Sequence, residues 1–73
     1  MTTYLVREWR GGRPARELGR TEAAVPRQAL RRLAPDAVRA GWPYEDHADG
    51  SGGLVDPADP DHRIVADPVF PDD

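Results

Sequence analysis

The chain has 73 residues, with no cysteine, no lysine, ten arginines and thirteen acids, for a formal net charge of −3. A chain this short forms one small domain with a thin stability margin, and the lack of cysteine excludes disulfides and thiolate-held metals. No apolar run approaches the roughly 20 residues of a membrane-spanning helix, and the start lacks a secretory signal pattern, so the expectation is a cytoplasmic protein with no membrane partner.

Thr2 to Arg10 reads as a strand, because Tyr4, Val6 and Trp9 favour extended backbone and nothing interrupts them. Alternation puts Tyr4 and Val6 on one side and Leu5 and Trp9 on the other, without saying which side faces the core. Gly11-Gly12-Arg13-Pro14 is a turn signal. Ala15 to Ala23 reads as the return strand, with Leu18 inward between Arg16 and Arg20; a loop or an early helical turn over 15–24 is the alternative.

A helix is expected from Pro26 to about Ala34. Proline suits the first helical position, where its missing N–H is no loss, and Gln28 stands where it can reach back to cap. At 100° per residue, Pro26, Ala29, Leu30 and Leu33 share one face, while Arg27, Gln28, Arg31 and Arg32 share the other. Pro35 disfavours helix at Ala34, and Asp36 can cap one more turn, Ala37 to Ala40, that Gly41 ends.

Trp42-Pro43-Tyr44 is an aromatic hinge, and Glu45 to Gly53 reads as a polar, glycine-rich loop. Leu54-Val55 and Arg63 to Ala66 are short apolar stretches around a stiff connector carrying Pro57 and Pro60. Asp67 to Pro71 ends the part expected to be ordered, with Val69 and Phe70 able to dock as an anchor.

The fold expected is α+β: an N-terminal β-hairpin, one amphipathic helix, and a C-terminal half of extended segments or a short hairpin. The core would be Leu5 or Tyr4 with Val6, Trp9, Leu18, Leu30, Leu33, Trp42, Leu54, Ile64 and Val65. The domain would span 1–71, with a loose tail at 72–73. Its halves differ in sign. Residues 1–42 hold nine arginines against four acids, and residues 43–73 hold Arg63 against nine acids. The all-arginine usage, in a chain rich in Ala, Pro, Gly and Asp, reads as codon bias, so arginine position informs more than arginine identity.

Few residues suit catalysis. Ser51 is the only serine, and Asp49 breaks the Gly-x-Ser-x-Gly pattern around it. Adjacent Glu45 and Asp46 lie in polar sequence that gives no cause for a shifted pKa. No enzyme, no catalytic residue and no cofactor is expected. Asp49 to Leu54 resembles the middle of an EF-hand calcium loop, with Asp49 at position 3, Ser51 at 5, Gly52 at the turn and Leu54 as the aliphatic residue. His47 then occupies position 1, and Ala58 occupies position 12, where a bidentate glutamate belongs. His47 and His62 match no standard metal spacing, so no metal ligand is assigned, and a degenerate metal loop at 47–61 remains a minor alternative.

The leading expectation is a non-enzymatic accessory or structural protein that binds another protein or itself. Trp9, Arg27, Arg31, Arg32, Trp42, Tyr44 and Phe70 are its partner-binding candidates, since aromatics and arginine dominate binding hot spots. The acidic half would lie near or across the basic helix, or add as a strand to a partner's sheet. The alternative is a nucleic-acid binder that meets phosphates with the arginine helix face, Arg16 and Arg20 adjoining it, and the acidic half as competitor.

Overall fold

The computed structural model describes residues 1–70; Pro71 and the tail expected at 72–73 lie outside the described residues. Its elements are β1 (Thr2–Arg10), β2 (Arg13–Ala23), α1 (Pro26–Leu33), α2 (Pro35–Arg39), β3 (Tyr44–Asp46), β4 (Gly52–Asp56) and β5 (Asp59–Val69). They form one antiparallel sheet in the order β2-β1-β5-β4-β3. This corrects the α+β expectation of one amphipathic helix and a loosely extended C-terminal half. Strands take 56% of the residues and helices 19%, so the molecule is mainly antiparallel sheet, carrying two short helices.

The C-terminal half differs from expectation for a physical reason. Its prolines and glycines read as chain breakers, yet each sits where a sheet tolerates it. Pro60 falls in the irregular stretch between the Val55–Arg63 and Asp56–Asp59 pairs. Pro68 pairs with Tyr4 of β1 beyond the last β4 partner, Ala66. The acidic segment therefore supplies β5, the central strand, bonded on both sides. It is neither an arm lying across a helix nor a free strand for a partner's sheet.

At the other end the local signals are direct. Gly11 and Gly12 form the two-residue turn between β1 and β2, with φ of +59° and +78°, a geometry that matches strand twist and that residues with a Cβ resist. Pro26 opens α1, and the Gln28 side-chain oxygen accepts the Ala24 N–H at 3.0 Å. Pro35 separates α1 from α2 through Ala34, which leaves helical geometry at φ −132° and ψ 52°.

Both helices cover one face of the sheet. Tyr4 and Val6 of β1, Ile64 and Ala66 of β5 and Leu54 of β4 meet Ala29 and Leu30 of α1 and Ala37 of α2 in the buried core. Leu5 and Trp9, with Val65 opposite Arg7, face the other way, as the strand pairing requires. Trp9, Leu5 and Val65 thus lie outside the core in which they were expected, and small alanines fill much of it instead. No helix among the described residues is long and apolar enough to cross a membrane.

Candidate functional site

Four of the seven expected partner-binding residues converge. Arg27 and Arg31 stand one turn apart on the exposed face of α1. Trp42 and Tyr44 follow α2 and enter β3. Together they surround a recess of about 190 Å³ whose floor is Leu30, Leu54 and Val38. Leu30 and Leu54 belong to the buried core, so the recess opens onto the interior packing itself.

The rim is ordered by specific contacts. The Arg27 guanidinium lies 4.3 Å from the centre of the Tyr44 ring, a cation–π contact. The Tyr44 hydroxyl donates to Asp46 Oδ1 at 2.8 Å. Burial and that acidic neighbour push the Tyr44 phenol up to about 12. Gly52 makes room for it: a Cβ there would lie 2.9 Å from Tyr44 Cζ and 3.0 Å from Pro26 Cγ. Trp42 meets His62 edge-on, with ring centroids 5.1 Å apart at 75°. Neither Arg27 nor Arg31 has an ion-pair partner among the described residues.

The other candidates lie elsewhere. Arg32 turns back to β2, where it donates to the Glu22 carbonyl and, at 3.3 Å, to Thr21 Oγ1. Trp9 sits on the helix-free face of the sheet with the Arg7 guanidinium 5.0 Å from its ring centre. Phe70 is 75% exposed, beside Met1 and Arg20 at another corner. Arg16 lies 3.6 Å from Glu8, and Arg20 pairs with Leu5 in the sheet register. The continuous arginine surface expected for phosphates is therefore dispersed over both faces.

Two polar clusters bear on chemistry. His62 sits between carboxylates, with Nε2 2.5 Å from Glu8 and Nδ1 3.1 Å from Asp56. The His62 hydrogen bond, with Arg10 and Arg16 nearby, holds the Glu8 carboxyl below its usual value against the effect of burial. The Ala58 N–H, and secondarily His62, lowers that of Asp56. In the β3–β4 turn, Ser51 Oγ donates to Asp49 Oδ1 at 2.7 Å and lies 2.7 Å from His47 Nδ1. The Ser51 hydroxyl and N–H hold the Asp49 carboxyl below its usual value. Ser51 is 3% exposed, and its hydroxyl is engaged by Asp49 and His47 within the turn. Gly52 to Asp56 form strand β4 rather than the second half of a wrapping calcium loop. Among the described residues, no group of three or more His, Asp or Glu side chains is placed to hold a metal ion.

Sequence reasoning missed Val38 and the role of Leu54 in the recess. Pro35 breaks the helical phase between Leu30 and Val38, so no single periodicity joins them. It also missed the His62 clamp, whose Glu8 partner is 54 positions away. Comparison of the chain with protein-family models, curated proteins and solved structures returned no match.

Proposed function

We propose that this chain is a non-enzymatic interaction module that binds another protein through the recess between α1, α2 and β3. The observation that supports this reading is the convergence of Arg27, Arg31, Trp42 and Tyr44 around an apolar floor. These residue types carry most of the energy in protein interfaces, and they do so best around desolvated pockets.

The helix-free face of the sheet is the weaker surface for a partner. Its apolar residues are overlaid by the chain's own charges, with Arg7 bonded to Asp67 at 2.9 Å and Arg63 to Glu45 at 3.2 Å. A phosphate-binding role has less support, because Arg32, Arg16 and Arg63 are engaged within the molecule.

The test compares the wild type with an Arg27→Gln/Arg31→Gln variant. Both positions are exposed, so thermal stability should stay within about 0.5 kcal/mol. Protein complexes recovered from the native host, identified by mass, should form with the wild type and be lost with the variant. A wild type that recovers nothing, or a variant that recovers the same complexes, overturns the proposal.

A further inference from the structure

We infer that the partner segment is acidic and presents one apolar side chain, which enters the recess while flanking carboxylates engage Arg27 and Arg31. This inference rests on the interaction reading above and adds the chemistry of what is bound.

Three observations carry it. The first is size. An apolar cavity of about 150 Å³ holds a benzene ring, so a recess of about 190 Å³ accepts one phenylalanine-sized or branched aliphatic side chain. The second is charge. Arg27 and Arg31 are the two cations at the rim, and neither has an ion-pair partner among the described residues. The guanidinium fork pairs with planar carboxylates in bidentate geometry. The third is order. Arg27 is held over Tyr44, and Tyr44 is held by Asp46, so less side-chain freedom is lost on binding. Asp46, the acid bonded to the rim residue Tyr44, is itself occupied in accepting that hydroxyl. A neutral apolar segment would leave two arginines desolvated without partners, and a basic one would be repelled.

The two tryptophans make the test site-resolved. Trp42 borders the recess and Trp9 lies on the opposite face of the sheet. The full chain, nitrogen-labelled, is titrated with a five-residue peptide that has phenylalanine between paired aspartates and glutamates. Its controls are the asparagine and glutamine counterpart and an alanine-centred version. The Trp42 indole signal should shift saturably while that of Trp9 stays fixed. Both controls should bind at least about tenfold more weakly, and affinity should fall with added salt. An Arg27→Glu/Arg31→Glu variant should lose the acidic peptide and bind its lysine counterpart instead.

Equal binding of the neutral peptide overturns the acidic preference while leaving the interaction reading in place. Saturation that moves Trp9 and not Trp42 overturns the placement of the acidic segment in the recess. No response to any peptide up to several millimolar, while host complexes still depend on Arg27 and Arg31, overturns the inference alone. Self-association that occupies the recess in the absence of peptide also overturns it.

Discussion

Tyr44 and Gly52 show how one missing side chain can shape the rim of the recess proposed for binding. The Tyr44 ring lies in space that a Cβ at Gly52 would enter, in a strand where glycine is otherwise a weakness. Gly52→Ala should therefore lower stability by about 1–3 kcal/mol and displace the ring from Arg27. Thermal unfolding reads the first effect and loss of the Trp42 response to peptide reads the second. The same ring makes a pH prediction. Its folded value, about 12, is raised above the ordinary 10.0, so the stabilisation is fully present below pH 10 and is lost as pH rises toward 12. Asp46→Asn should bring the Tyr44 transition down, followed at the tyrosine Cζ resonance in a Tyr4→Phe background. An unchanged transition would show that Asp46 plays no part. At this scale the sequence was informative about residue types and silent about neighbours. Arg27, Arg31, Trp42 and Tyr44 were all candidates, but their meeting depends on the α2 turn and on Gly52, neither of which leaves a periodic trace.

The elements divide by how local their causes are. The β1–β2 turn and α1 follow from Gly11-Gly12, Pro26 and the apolar spacing of Ala29, Leu30 and Leu33, all within a few residues. β4 and β5 follow from pairing with distant partners, which turns Asp-Pro punctuation into tolerated irregularities of a strand. The edge strand β2 shows a further constraint. Its outer side has no strand neighbour, and eleven residues of open edge would invite pairing with another chain. Pro14, the alternating charges Arg13, Arg16, Glu17, Arg20 and Glu22, and register shifts against β1 blunt it. Replacing Glu17 and Arg20 together by valine should convert a monodisperse protein into one that aggregates on concentration, as read by light scattering. Undiminished monodispersity would mean that the irregular register alone protects the edge. The blunted edge is consistent with the proposal that a partner is met in the recess rather than by strand addition.

Across the whole molecule, the two oppositely charged halves lie side by side in one sheet, joined along a single seam. The basic half gives β1, β2 and both helices; the acidic half gives β3, β4 and β5, and the seam runs through the centre of the sheet. Arg7 with Asp67 crosses that seam at 2.9 Å, and His62 with Glu8 crosses it at 2.5 Å. The half-exposed Arg7–Asp67 pair is worth about 0–1 kcal/mol, so added salt should alter neutral-pH stability little. The clamp differs, because His62 and Glu8 are mostly enclosed and tie β5 to β1 beneath Trp42. Glu8 and Asp56 both titrate below their ordinary values of 4.5 and 3.8. A depressed carboxyl contributes stability that is present above its unfolded value and lost as pH falls through the folded one. The melting temperature should therefore hold from about pH 7 to 5 and fall progressively below that. Glu8→Gln should start lower at neutral pH, because it removes a partner of His62, and should show a shallower acid decline than the wild type. If the two acid profiles run parallel, the acid sensitivity arises elsewhere in the chain and the clamp is not what joins the halves. If the Glu8→Gln profile is flatter, the charge division of the sequence is resolved chiefly at one histidine, next to the tryptophan that borders the recess.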